Sequence, residues 1–281
     1  MLWKTRTRTF DLSRRAVIMG VVNVTADSFS DGGEFEDPDA AITHGRLLAE
    51  QGAEIIDVGG ESTRPGATPV SEEEELRRVM PVVSALAGDP RFVVSIDTMK
   101  PGVARAAVEA GAEIVNDVTG LRTPAMREVV RESGAGAIIM HMQGTPADMQ
   151  LAPRYENVVA EIREFFRQTL TACVACGMDP LRLAFDPGIG FGKTLEHNLS
   201  LIRSIGALRV EDRPLVLGAS RKSFIGKVIG SANPADRAWP TVALTSFGRE
   251  RGANVFRVHD VRPNAEALRM SEAILFPEAA A

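Results

Sequence analysis

The sequence predicts an α/β chain folded as a (β/α)8 TIM barrel, and three observations predict it. Short apolar runs rich in Val and Ile alternate with amphipathic helical stretches over nearly the whole chain. Each run is apolar where it begins and polar where it ends, and a barrel brings such ends to one mouth. The 281 residues accommodate one large α/β domain as readily as two modest ones, but no linker, low-complexity segment or longer repeat marks a boundary. A doubly wound open sheet would string the polar ends along an edge instead.

The strands follow in order. Residues 16–24 (AVIMGVVNV) bring Asn23, 54–59 (EIIDVG) Asp57, 91–97 (RFVVSID) Asp97, and 113–118 (EIVNDV) Asn116 with Asp117. Residues 136–142 (GAIIMHM) bring His141 and 181–186 (LRLAFD) Asp186. Residues 214–219 (PLVLGA) lead into Ser220 and Lys222, and 254–260 (NVFRVHD) carry Arg257 and His259. Helices are expected near 37–51, 71–87, 100–110, 124–133, 154–177, 194–205, 234–251 and 262–275. Ser71 with Glu74 reads as a capping box. Pro101 and Pro124 mark helix starts, and Gly52, Gly111, Gly134, Gly177 and Gly252 mark stops. The whole chain, 1–281, reads as a single domain. Residues 1–15 are expected to form an N-terminal strand or hairpin, and 276–281 a mobile tail.

Composition narrows the function. The formal charge of −5 offers no global basic field for nucleic acid, and 5% aromatics make a stacking platform improbable. No apolar run reaches the roughly 18 residues of a membrane span. Two cysteines cannot build a disulfide framework, so the cytoplasm is the expected location. Cys173 and Cys176 stand at a helix end with no second pair, and read as packing residues. His44 and His197 read as helix-surface groups, while His141 lines the mouth or sits satisfied in the core.

Five strand ends carry chemistry. NVTADSFSDGG (23–33) reads as a loop carrying Asp27, Asp31 and an exposed Phe29. DVGGESTRPGA (57–67) presents backbone N–H groups, hydroxyls and Arg64, a set suited to an anion. DPGIGFGKT (186–194) nearly imitates a phosphate-binding Walker loop, but Pro187 stands where that pattern needs Gly. GASRKSFIG (218–226) sets Arg221 and Lys222 at a helix start, and Arg257 and His259, two apart, leave one strand face.

With SIDTMK (95–100), NDVTG (116–120) and RVHDV, these segments resemble the dihydropteroate synthase family, in the family's order and over about residues 10–275. The resemblance implies a pterin-binding TIM barrel acting as a homodimer in folate biosynthesis. It implies a transferase that condenses 6-hydroxymethyl-7,8-dihydropterin diphosphate with p-aminobenzoate to 7,8-dihydropteroate and diphosphate, and a sulfonamide target. It assigns Asp97 and Asn116 to one pterin edge, Asp186 to the 2-amino and N3 hydrogens, and Lys222 to the carbonyl side. Arg257 would cover the ring. Thr63, Arg64, Arg257 and His259 would hold the diphosphate, with Asn23 on Mg²⁺. Asp31 would stabilise the cationic methylene. Phe29, Pro65 and Phe191 would pack the p-aminobenzoate ring, and Ser223 would receive its carboxylate. Asp31, Arg64, Lys222, Arg257 and His259 form the implied catalytic set. A pterin-barrel methyltransferase shares the carboxylates but has no need of Arg64, Lys222, Arg257 and His259. Two departures stand out: Ala26 replaces the family's usual Pro, and Trp239–Pro240 stands where a small-residue helix start is usual. The second bears on dimer geometry, because residues 241–251 belong to the family's usual dimer surface.

Overall fold

A computed structural model describes residues 1–25, 38–64 and 66–279. The chain opens with two short antiparallel strands, β1 (Leu2–Lys4) and β2 (Thr9–Asp11). Strand β3 (Val17–Asn23) leads to α1 (Pro38–Glu50), β4 (Ile55–Gly59) to α2 (Glu72–Leu86), and β5 (Val93–Asp97) to α3 (Pro101–Glu109). Then come β6 (Ile114–Asp117) with α4 (Pro124–Ser133), β7 (Gly136–Met140) with α5 (Val158–Ala175), and β8 (Leu183–Asp186) with α6 (Leu195–Arg203). Strand β9 (Val216–Leu217) is followed by α7 (Ser223–Ile229) and α8 (Ala238–Glu250), and β10 (Val255–Val258) by α9 (Val261–Leu275).

Eight parallel strands pair in the order β8-β7-β6-β5-β4-β3-β10-β9. A bridge between Phe185 and Leu215 joins the two ends, and the Phe185 N–H donates to Pro214 O at 2.9 Å. The result is the nearly closed barrel that the alternating pattern predicts.

Period-2 alternation sorts the side chains. The barrel interior near the strand starts is apolar: Val17, Met19, Ile55, Val93, Ile114, Ile138, Ala184, Val216 and Val255 pack together. Trp3, Phe10 and Leu12 of the β1–β2 hairpin join that cluster and close the bottom of the barrel. The intervening residues, such as Ile18, Ile56, Val94 and Val115, face the helices in a second core. Two residues beyond the lower layer, the same inward face carries Asp57, Ser95, Asn116, Asp186 and Arg257. The apolar plug thus forces polar groups to the opposite end.

The structure corrects several expectations. The seventh strand shrinks to two residues, because Pro214 has no N–H for a ladder and the chain leaves the sheet at Gly218. A separate helix, α7, follows it, ending at Gly230 in the left-handed conformation (φ 70°). Helix α5 starts only at Val158, where Asn157 accepts from the Ala160 N–H. The Ser71 capping box is half made: Ser71 accepts from the Glu74 N–H, but the Glu74 carboxylate turns to Arg77 and Arg78. Thr194 and His197 form a complete box instead, so His197 caps α6 rather than idling on its surface.

Candidate active site

The mouth end of the barrel holds a cavity of about 1240 Å³. Its walls include every sequence-predicted site residue that the structure describes. Strands supply Asn23, Asp97, Asn116, Asp186 and Arg257; the connections beyond them supply Thr63, Arg64, Phe191, Lys222, Ser223 and His259. Phe29, Asp31 and Pro65 lie outside the described residues, as does Ala26.

The floor is a carboxylate–guanidinium network. Arg257 Nε donates to Asp57 Oδ2 and Arg257 Nη2 to Asp97 Oδ2, each at 2.7 Å. Asn116 Nδ2 donates to the same Asp57 oxygen at 3.1 Å. Burial pushes the Asp97 carboxyl above its ordinary pKa, Arg257 opposes the shift, and the neighbouring Asp57 adds to it. Burial works against the Arg257 charge too, but Asp57 and Asp97 outweigh it and hold that guanidinium charged.

Opposite this network stands Asp186, whose Oδ1 accepts from the Gly188 N–H at 2.7 Å. Gly188 is needed here: its φ is +66°, and a Cβ would run into His141 O. Burial raises the Asp186 pKa and the nearby Lys222 charge pulls against it. Lys222 itself is lowered to about 8 by burial, with Asp186 restoring part of the shift. Its ammonium donates to Ile189 O and lies 4.5 Å from the centroid of the Phe191 ring. Arg221, at φ +54°, is held by a two-pronged ion pair with Asp260, Nε–Oδ2 at 2.9 Å and Nη2–Oδ1 at 2.6 Å.

His259 is held at about pKa 3 by burial and then by the neighbouring Arg257 and Arg221 charges, so it is neutral. Its Nδ1 lies 3.0 Å from Ser220 Oγ, which also accepts the His259 N–H at 3.2 Å. His141 is a core residue. Its ring packs edge-on to Phe165, and its Nδ1 and carbonyl both meet Lys193 Nζ at 3.2 Å.

Three structural contacts escaped the sequence reading. Asp57 anchors Arg257, and its place two residues beyond Ile55 was the available signal. Lys193 is buried and ties His141 O to Phe191 O, the latter at 2.8 Å. Glu61 bonds to Lys100 beneath the second loop. The last two contacts join residues 52 and 39 positions apart, which no local pattern reveals.

The arrangement suits a flat, donor-rich heterocycle on a floor of Asp97, Asn116 and Asp186, with an anion held at the rim by Arg64, Arg257 and His259. Comparisons with known proteins give the family. Residues 19–259 match the family model described as "Pterin binding enzyme". The Escherichia coli K12 dihydropteroate synthase is 45% identical over 267 residues, covering 95% of this chain and 94% of that protein. The Yersinia pestis dihydropteroate synthase, solved as a sulfonamide drug complex, superposes with a TM-score of 0.93 at 42% identity, covering 98% of this chain and 99% of that one. The Xanthomonas albilineans dihydropteroate synthase, solved with 4-aminobenzoic acid, gives a TM-score of 0.91 at 43% identity, with 98% of each chain covered.

Proposed function

The chain belongs to the dihydropteroate synthases of the pterin-binding enzyme family, and on that premise we propose how its cavity joins 6-hydroxymethyl-7,8-dihydropterin diphosphate to p-aminobenzoate. The observation that carries the proposal is the gathering of Asp97, Asn116, Asp186 and Lys222 in one cavity with Arg64, Arg257 and His259. Asp186 accepts from the 2-amino and N3 hydrogens of the pterin. Asp97 and Asn116 read the other edge, Lys222 donates to the carbonyl side, and Arg257 covers the ring. Thr63, Arg64, Arg257 and the neutral His259 N–H hold the diphosphate.

The bond between the pterin methylene and the diphosphate oxygen breaks, and its electron pair leaves with the diphosphate. The rim cations stabilise that charge where it develops. The dihydropterin ring delocalises the positive charge left on the methylene, and Asp31 stabilises it. The aniline nitrogen of p-aminobenzoate then forms the new C–N bond and loses one proton. That nitrogen is neutral at pH 7, so placement matters more than a strong base. Phe29, Pro65 and Phe191 pack its ring and Ser223 receives its carboxylate. Sulfonamides compete at this subsite.

Magnesium fits the donor set. Asn23 offers one amide oxygen at the cavity wall, and Mg²⁺ takes few protein ligands, keeping waters and phosphate oxygens. Among the described residues no group of three His, Cys, Asp or Glu could cage a metal alone. Bound there, Mg²⁺ would neutralise diphosphate charge. Asn23→Ala is expected to raise the half-saturating Mg²⁺ concentration; an unchanged value would remove Asn23 from the role. The homodimer would use α8 and the exposed Met270 and Ile274 of α9; sedimentation at the monomer mass would contradict it. Free Cys173 and Cys176 suit the reducing cytoplasm.

Lys222 supplies the test of the pterin site. Its pKa of about 8 means that the free enzyme loses this positive donor as pH rises through that value. The kcat/KM for the pterin diphosphate is expected to fall on that alkaline limb, and Lys222→Met, though slow, is expected to lack it. A limb that persists in Lys222→Met would contradict the assignment.

A further inference from the structure

The second loop, between β4 and α2, carries Thr63 and Arg64 to the cavity wall. The Ala67 N–H donates to Arg64 O at 3.1 Å. The Glu61 Oε1 atom accepts the Val70 N–H at 3.1 Å, so one side chain joins two residues that each lie one position in from an end of the twelve-residue loop. The other oxygen, Oε2, accepts from Lys100 Nζ at 2.7 Å. Lys100 stands at the N-cap position of α3 just after β5, and donates at 2.5 Å to Glu75 of α2, whose side chain is wholly buried. Glu61 itself is 7% exposed, so this is no solvated surface pair. Arg78 of α2 donates to Gly60 O at 3.0 Å on the other side of the loop's start. Burial works against the Lys100 charge, but the two carboxylates outweigh it and raise its pKa.

We propose that Glu61 is a positioning residue: a clasp that closes the base of the second loop on Lys100 and thereby holds Arg64 and Thr63 for the diphosphate. Holding the ends of a loop together removes chain entropy that a ligand would otherwise have to overcome on binding. Neutral Gln could accept from only one of the two donors, because its NH2 cannot accept at all. Glu61 therefore acts on the diphosphate through Arg64, while the pterin floor on the strands stays as it is.

The inference rests on the diphosphate role proposed for Arg64, and wild-type turnover is the control on that role. The test measures binding of two probes, inorganic diphosphate and 6-hydroxymethylpterin, to the full chain. Glu61→Gln is expected to weaken diphosphate about tenfold, the size of one coupling of about 1.4 kcal/mol. Affinity for the pterin is expected to change less than about twofold, and the diphosphate effect to vanish when Arg64→Ala is already present. A purely structural role would weaken both probes together, and that result overturns the proposal. So does a full effect persisting in the Arg64→Ala background, or no effect at all. Amide hydrogen exchange on the unmutated protein supplies a check independent of folding. The Val70 N–H is expected to be protected in the resting protein, and exchange at the rate of an open chain would overturn the clasp.

Discussion

Asp186→Asn is expected to lower kcat/KM for the pterin diphosphate by about 10³-fold while the protein still folds. The two side chains have nearly the same shape, and Asn keeps one oxygen for the Gly188 N–H that Asp186 accepts at 2.7 Å. What changes is the other atom, which becomes an NH2 facing the donor edge of the pterin. Two donors then meet where a donor met an acceptor, in a site with Asp186 only 5% exposed. The neighbouring Lys222 also loses its nearest counter-charge. The KM for p-aminobenzoate is expected to stay within about threefold, because Phe191 and Ser223, proposed for its subsite, lie beyond the strand ends. Steady-state kinetics in both substrates checks the split; an equal loss in both would mean that Asp186 holds the mouth together rather than reading the pterin.

Arg257→Met is expected to damage stability and activity together. Arg257 bonds to both Asp57 and Asp97 at 2.7 Å, and Asp57 is completely buried. Met preserves the bulk but leaves the buried Asp57 and the half-buried Asp97 without their cation, which costs about 3–5 kcal/mol. Turnover is expected to drop by at least about 10²-fold, as for loss of a preorganised donor to developing negative charge. The penalty is electrostatic, so lowering pH to protonate Asp97, whose pKa burial already raises, is expected to restore part of the lost stability. Denaturant melts at two pH values check this. A variant as stable as the parent at neutral pH would contradict the network.

These effects explain which parts of the molecule were legible in its sequence. Each strand runs from apolar to polar and barrel strand ends converge, so Asp97, Asn116, Asp186 and Arg257 could be placed at the mouth from the sequence. Strand β9 was overread because Leu215 and Ala219 are buried whether or not they pair. The residue that ends the ladder is Gly218, where a Cβ would lie 3.2 Å from Asp186 Oδ2. Helix α7 was legible at its start, where Arg221 and Lys222 precede it, but not in its extent, because its seven residues carry too little periodicity. Asp57 was visible as a strand-end polar group, but its bond to Arg257 spans 200 residues and depends on barrel closure. The clasp of Glu61 and Lys100 is equally non-local. The Trp239–Pro240 departure falls where it costs little: Pro240 sits in the first turn of α8, where N–H groups lack intrahelical partners, and Trp239 is 77% exposed.

In the proposed mechanism, one cavity uses the rim cations to release diphosphate only when the aniline nitrogen is in place to attack the pterin methylene. The most direct measurement mixes the purified protein with Mg²⁺ and pterin diphosphate, with and without p-aminobenzoate, and follows both products. Equimolar diphosphate and 7,8-dihydropteroate, formed together and only when p-aminobenzoate is present, is the predicted result. Diphosphate released at the same rate without p-aminobenzoate, or no turnover with all three present, would contradict it.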